Sequence, residues 1–286
     1  MARQRTIVGL GEALLAESPQ GTAPAGLAAE VALTAVRLGH RGVPISRIGQ
    51  DEAAEELLKL LREAGVDTSH VQSDPDLPTA RLIVRGFGGA VARYVEERAA
   101  FDNLQWDFDL EDISQQADGV VFGLLSRRGG QTRSEENRFL AQCSAAMKVF
   151  DLTNRGPGPI DRSLAQSGLG LSDAIVVDPA AVKVLLPGAG DQPLREAAEK
   201  LRRSVEVSLV LAVEAHEGTS QVMAMMESDV FQASVPDSRP GHIGAIVALL
   251  HGVLGGRPMN DALALAERIS RHLVEQPESP VPQEML

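Results

Sequence analysis

The 286-residue chain can bury a large apolar core, and its 44% hydrophobic and 23% charged residues are ordinary for a globular α/β protein. A formal net charge of -12 leaves no basic stripe to neutralise phosphates, which excludes nucleic-acid and anionic-membrane partners. The single cysteine, Cys143, excludes a disulfide framework, and no apolar run approaches the roughly 20 residues of a transmembrane helix. We therefore expect a cytoplasmic protein.

Strand and helix patterns alternate in the first part of the chain. An apolar run at residues 6–10 predicts a buried first strand that ends in a glycine turn at Gly9-Leu10-Gly11. Helical patterns follow at 28–38 and 51–64, with a strand pattern at 43–48 between them. This alternation favours a mainly parallel sheet with helices on both faces.

The later patterns complete one predicted α/β domain over residues 1–276. Residues 81–84 and 91–96 flank a glycine-rich turn, so they predict a hairpin that could form a lid. Further strands are predicted at 119–123, 148–152, 174–177, 205–213 and 221–226, and further helices at 135–146 and 260–275. Three prolines predict a loose C-terminal tail at 277–286.

Residues 235–256 have the pattern of a strand, a turn and a helix. Apolar residues recur at spacings of three and four, which predicts a helix from about Gly241 to the Gly255-Gly256 stop. The first turn of such a helix attracts anions through its free N–H groups and its dipole. Here Pro240 has no N–H, and Ile243 can neither accept a proton nor form a hydrogen bond.

The same segment resembles the C-terminal signature of the ribokinase (PfkB) carbohydrate kinases, Asp-Thr-Thr-Gly-Ala-Gly-Asp. Asp237 and Ser238 match its first two places, Pro240-Gly241-His242 replace its Gly-Ala-Gly, and Ile243 stands at its catalytic Asp. Other segments resemble the family in the same order, namely 11–15, 38–40, 46–51 and 61–71. The resemblance implies a ribokinase-like fold with lid strands near 12–24 and 78–98, and it is strongest to the fructokinase and 2-keto-3-deoxygluconate kinase branch.

The resemblance also implies where ligands would bind. It assigns substrate contacts to Glu12, Gly26, Glu30, Tyr94 and Arg155, and it assigns nucleotide or phosphate contacts to Gly218, Asp237, Ser238 and Gly241. Several positions depart from the family at these points. Ala16 replaces a sugar-binding Asp, Glu30 replaces an Asn, and Ala181 replaces the Glu of an Asn-x-x-Glu pattern that organises magnesium-bound phosphate.

Other interpretations of these residues remain open at the sequence level. His242 could substitute for the missing base, but its side chain leaves the helix about 100° away from that of Ile243, and a helix N-terminus disfavours an imidazolium. Asp237 and Ser238 could be helix caps rather than phosphate ligands. The histidines have no metal-ligand spacing, so we predict no metal site.

The leading hypothesis is a pseudokinase that has lost phosphotransfer and acts as a binding, regulatory or scaffold protein. The alternative is an active carbohydrate kinase that uses ATP and Mg, with Glu12, Glu30 or Asp237 as a relocated base. A sugar or sugar acid is the expected small-molecule partner. A homodimer formed through the region 81–96 is a further possibility that the resemblance suggests.

Overall fold

A computed structural model describes residues 3–19, 21–87, 90–94, 98–153, 159–189, 192–227, 229–277 and 279–286. The strands are β1 Thr6–Leu10, β2 Leu14–Ser18, β3 Gly21–Ala25, β4 Arg41–Ile48, β5 Val71–Ser73, β6 Arg81–Phe87, β7 Ala90–Tyr94, β8 Gly119–Gly123, β9 Met147–Asp151, β10 Ala174–Val177, β11 Leu209–His216, β12 Thr219–Met226 and β13 Asp229–Pro236. The helices are α1 Leu27–Arg37, α2 Glu52–Glu63, α3 Phe108–Gln116, α4 Gly130–Gln142, α5 Arg162–Leu169, α6 Pro179–Leu185, α7 Leu194–Ser204, α8 Arg239–Leu254 and α9 Met259–Glu275.

The central sheet has the order β13-β12-β11-β10-β9-β8-β1-β4-β5 among the described residues. The pairings from β11 through β10, β9, β8, β1 and β4 to β5 are all parallel, and β12 and β13 are added antiparallel at the other edge. Every residue of β8 and β10 is buried, as expected for strands covered on both faces. The predicted mainly parallel sheet is confirmed.

Two apolar clusters cover the two faces of this sheet. One face packs against α3 to α7, and the other packs against α1, α8 and α9. The helices therefore lie on both faces, as predicted. Because β1, β8, β9 and β10 run in parallel, their carboxyl ends meet at one edge of the sheet, where ligands of open α/β folds bind.

A second, four-stranded sheet lies beside the first in the order β3-β2-β6-β7. The hairpins β2–β3 and β6–β7 are antiparallel, and β2 pairs with β6 in parallel. These strands overlap the two regions predicted as lid strands, and β3 extends one residue beyond the first region. Among the described residues, no helix is long and apolar enough to cross a membrane.

The C-terminal segment differs from the predicted loose tail. Val281 is 4% exposed, and its N–H donates to the Arg37 carbonyl oxygen over 2.9 Å. Met285 and Leu286 pack against the apolar cluster that contains α8 and α9. This segment therefore packs on α1 and on the helical layer through one buried and two partly buried apolar side chains, and it contains a 3-10 helix at Gln283–Met285.

Candidate functional site

The first side of the candidate site forms where β1 ends. Glu12 is 1% exposed, and its Oε1 accepts a hydrogen bond from the Leu27 N–H over 2.9 Å. Gly26 has a φ of +87°, and a Cβ at this position would lie 2.5 Å from the Glu12 carbonyl oxygen. The structure thus brings together two predicted substrate residues, but here they hold the first turn of α1 in place.

The turn into α8 is closed by its own cap. Ser238 is the N-cap residue, and its Oγ accepts a hydrogen bond from the Gly241 N–H over 3.2 Å. The helix begins at Arg239, two residues before the predicted start, because Pro240 fits the first turn without an N–H to lose. A Cβ on Gly241 would lie 2.4 Å from the Pro236 carbonyl oxygen, so the chain is tightly folded here. Little hydrogen-bonding capacity is left for a phosphate.

Ile243 does not face this turn. Its side chain is 1% exposed and belongs to the apolar cluster of α1, α8 and α9. A carboxylate could not occupy this environment in its charged form without a large desolvation cost. At a second position of the predicted phosphate machinery, Ala181 is fully buried and its N–H is bonded to the Asp178 carboxylate, which caps α6.

His242 contacts side chains rather than solvent alone. Its Nε2 lies 2.9 Å from Ser220 Oγ and 3.5 Å from Asp237 Oδ1, and Ser220 Oγ donates to the same Asp237 oxygen over 2.9 Å. Burial lowers the pKa of His242, although Asp237 opposes this shift. The Asp237 N–H also donates to Gly218 O over 3.3 Å, and Gly218, with a φ of +76°, lies in the β11–β12 turn. These residues join the β11–β12 hairpin to the start of α8.

Arg239 is the site residue that sequence reasoning missed. Its Nε donates to Glu30 Oε2 over 2.6 Å, and its Nη1 lies 3.8 Å from Asp151 Oδ2. The carboxylates of Glu30 and Asp151 raise the pKa of Arg239 although burial opposes them, whereas burial raises the pKa of Glu30. The short contact favours the ionised pair. A cation in the first turn of a helix, against the dipole, was the available signal.

A second buried ion pair lies beside this one. Arg127 and Glu136 are both 0% exposed, and Arg127 Nη1 lies 3.2 Å from Glu136 Oε2. Ser126 Oγ donates to Glu136 Oε1 over 2.6 Å, and a Cβ on Gly11 would approach both of these groups. Burial raises the pKa of Glu136 to about 7 despite Arg127. The carboxyl ends of β1, β8 and β9 therefore lie near two arginine–carboxylate pairs, Arg239–Glu30 and Arg127–Glu136.

The space between the sheet and α8 and α9 is small. A cavity of about 20 Å³ there is lined mainly by aliphatic side chains, together with His242 and Thr153. This volume holds about one water molecule. No cluster of three or more possible metal ligands occurs in the described ranges. At the start of α8, Pro240 lacks an N–H and the Gly241 N–H is bonded to Ser238 Oγ, so these two residues offer no free donor to a nucleotide phosphate.

Arg155 and the side chain of Tyr94, two of the predicted substrate contacts, lie outside the described part of the chain.

Comparisons with known proteins agree with this architecture. The profile of the pfkB family carbohydrate kinases matches residues 8–177, which end before α8. The 2-dehydro-3-deoxygluconokinase of Thermoproteus tenax is 26% identical over 57% of this chain and 52% of its own length. The bifunctional protein HldE of Bradyrhizobium sp. (strain ORS 278) is 27% identical over 54% of this chain and 34% of its own length. The matched part of this chain therefore spans about half or less of these relatives.

Solved structures extend the likeness in fold to nearly the whole chain. The ATP-bound fructokinase of Xylella fastidiosa superposes with a TM-score of 0.80 at 18% identity, covering 99% of this chain and 97% of that one. The 2-dehydro-3-deoxygluconokinase of Thermotoga maritima superposes with a TM-score of 0.77 at 17% identity, covering 93% of each chain. The matched profile spans more than half of the sequence. The central sheet and the second, four-stranded sheet also agree with a ribokinase-like fold. The chain belongs to the pfkB family of carbohydrate kinases.

Proposed function

We propose that this protein is a pseudokinase, a member of the pfkB family that binds or regulates without transferring phosphate. The observation that carries the proposal is the burial of Ile243, which is 1% exposed within the apolar cluster under α8. A general base must reach the hydroxyl whose proton it takes. An aliphatic side chain in the core supplies neither the reach nor the acceptor.

The geometry of the α8 turn supports the same conclusion. Stabilising a transferred phosphoryl group requires donors aimed at the charge that develops. Pro240 has no N–H, and the Gly241 N–H already donates to Ser238 Oγ. Loss of a base costs about 10²–10⁴ in rate, and loss of one oxyanion donor costs about 10²–10³. Such losses are not additive, but together they leave no efficient route to phosphotransfer.

The experiment is a turnover assay with the purified full chain, Mg-ATP and a panel of sugars and sugar acids. We expect no phosphorylated product above the no-enzyme background. Calorimetric titration with ATP is the companion measurement, and we expect no heat of binding at millimolar nucleotide. Turnover that is abolished by a substitution of Glu12, Glu30 or Asp237 would overturn the proposal.

An active kinase with a relocated base is the second candidate. One observation favours Asp237 among the three residues considered, because its side chain is 35% exposed at the start of α8. Glu12 and Glu30 accept hydrogen bonds from Leu27 and Arg239 and are more deeply placed. If turnover is detected, Asp237→Asn should abolish it, whereas Asp229→Asn, at an exposed position of β13, should not.

Two proposals about partners remain. For the second candidate, an active kinase, we propose a sugar or sugar acid as the small-molecule ligand, and for either candidate we propose that a homodimer forms through the region 81–96. Size-exclusion chromatography with light scattering tests the second proposal. A protein that stays monomeric at all concentrations would exclude this homodimer.

A further inference from the structure

We propose that the crevice between α1, β9 and α8 is a guanidinium-binding site whose occupant is the chain's own Arg239. The inference rests on the proposed absence of phosphotransfer, because Arg239 lies in the same first turn of α8 as Pro240 and Gly241. It adds to that proposal the chemical class that the crevice recognises, which is a cation rather than a sugar acid.

The contacts of Arg239 come from elements that are distant in sequence. Glu30 lies in the first turn of α1 and Asp151 is the last residue of β9, whereas Arg239 is the first residue of α8. The Arg239 Nε to Glu30 Oε2 distance of 2.6 Å is that of a charge-assisted hydrogen bond. The guanidinium is planar and carries five donors, so it can contact two carboxylates at once.

The local chain disfavours a cation at this place. The positive end of the α8 dipole repels an arginine in the first turn. The negative potential of the crevice outweighs that repulsion, since Glu30, Asp151 and Glu12 all act to keep Arg239 charged. Asp151 is 1% exposed, and its Oδ2 forms no hydrogen bond to any described residue, so Arg239 Nη1 at 3.8 Å is its nearest described cation.

The charge of the crevice decides which ligands it excludes. A sugar acid would bring its carboxylate towards Glu30 and Asp151, and like charges in a partly buried site repel. A neutral sugar would have to displace Arg239 and would leave Glu30 without its cation, which is costly because Glu30 is only 22% exposed. A small guanidinium or ammonium compound is the external ligand that could replace Arg239 without leaving unpaired charge.

The test uses the Arg239→Ala variant of the full chain and measures its thermal unfolding without ATP. We expect a lower Tm than wild type, and a saturable rise on addition of methylguanidinium. At about ten times its Kd, the rise should be about 2–3 °C for a domain of this size. Urea has the same planar shape without the charge, and sodium chloride controls for ionic strength. Neither should raise the Tm, and gluconate should not raise it either.

Three controls distinguish a binding site from an ion pair that only stabilises the fold. Wild type should show no methylguanidinium response, because Arg239 occupies the crevice. Arg271→Ala, which removes an exposed arginine paired with Glu267, should show none. Glu30→Gln in the Arg239→Ala background should weaken the response at least tenfold. A merely structural Arg239 would lower the Tm of Arg239→Ala without any saturable, charge-dependent rescue.

The proposal can still be tested if the Arg239→Ala variant does not fold on its own. In that case the variant is refolded with methylguanidinium, urea or neither, and the soluble fraction is measured. A larger yield with methylguanidinium alone supports the proposal. Equal yields, equal rescue by urea, or binding of gluconate would overturn it, and none of these readouts depends on whether the protein transfers phosphate.

Discussion

Ile243 differs from an aspartate in its surroundings as well as in its side chain. It is 1% exposed and packs within the apolar cluster of α1, α8 and α9. A buried carboxylate without a partner either remains protonated or destabilises the fold. We therefore expect that an aspartate at this one position would not act as a general base.

The substitution Ile243→Asp tests that argument. We expect the free energy of unfolding to fall by about 3 kcal/mol or more, because an unpaired acid would be buried. We expect no gain of phosphotransfer. Ile243→Val is the matched control and should cost about 1 kcal/mol. Urea denaturation measures both variants, and a stable Ile243→Asp protein that phosphorylates a sugar would contradict the argument.

Sequence reasoning recovered part of the candidate site, and the limits have physical causes. The cap at Ser238 followed from residue preference at a helix start, and it is present. The contact of His242 with Ser220 could not be foreseen, because it depends on how β12 is placed beside α8. The Arg239–Glu30 pair joins residues 209 positions apart, and only the sheet order brings them together.

At the scale of elements, the packing of α8 on α9 depends on small residues. A Cβ on Gly252 would lie 2.8 Å from the Ala262 Cβ and 3.0 Å from its Cα, so the two backbones approach closely there. A backbone atom cannot move aside as the end of a flexible side chain can. The small residue at 252 therefore sets the distance between the two helices.

Gly252→Ala should accordingly destabilise the protein by about 1–3 kcal/mol, although alanine is the better helix former. Gly130→Ala in the first turn of α4 is the control, because a Cβ there meets nothing within 4 Å. The control should change the free energy of unfolding by less than about 0.5 kcal/mol. A Gly252→Ala variant as stable as wild type would show that the helices can separate without cost.

Element prediction succeeded where periodicity was strong. Apolar spacing found β10 at residues 174–177 and α9 within one residue of its start. The prediction missed α7, whose eleven residues are mostly charged or alanine and whose apolar face is narrow. It placed the next strand at 205 instead of 209, because Val205 ends α7 as its C-cap residue and does not begin β11.

At the scale of the whole molecule, two buried groups make opposite contributions to the pH dependence of stability. The Arg5 N–H donates to His40 Nδ1, so His40 Nε2 carries the proton that it shares with His251 Nδ1 over 2.7 Å. Burial, His251 and Arg5 lower the pKa of His40 from 6.5 to about 4, with Asp118 opposing. The contribution of His40 to the free energy of unfolding is therefore complete above pH 6.5 and is lost as the pH falls towards 4.

The Glu136 carboxyl behaves in the opposite way. Burial raises its pKa from 4.5 to about 7. Its contribution is therefore complete below pH 4.5 and is lost as the pH rises towards 7. Each group changes the free energy of unfolding by about 1.4 kcal/mol per pH unit within its range. Between pH 4.5 and 6.5 the two slopes oppose each other.

Single variants should separate these slopes. The quantity to follow is the free energy of unfolding of each variant minus that of wild type. For Glu136→Gln, this difference should rise by about 3 kcal/mol as the pH rises from 4.5 to 7. For His40→Gln, it should fall by about 3 kcal/mol as the pH rises from 4 to 6.5. Urea denaturation across this range gives both differences. Differences that move in the same direction would refute the opposition.

The pairing of Arg239 with Glu30 also bears on which substitutions the fold tolerates beside α8. A mutation that removes the arginine leaves Glu30 without its cation, and a mutation that places an acid at 243 disturbs the core, so each substitution should lower stability. Under the proposed absence of phosphotransfer, folding itself therefore opposes the acquisition of a catalytic base at this turn.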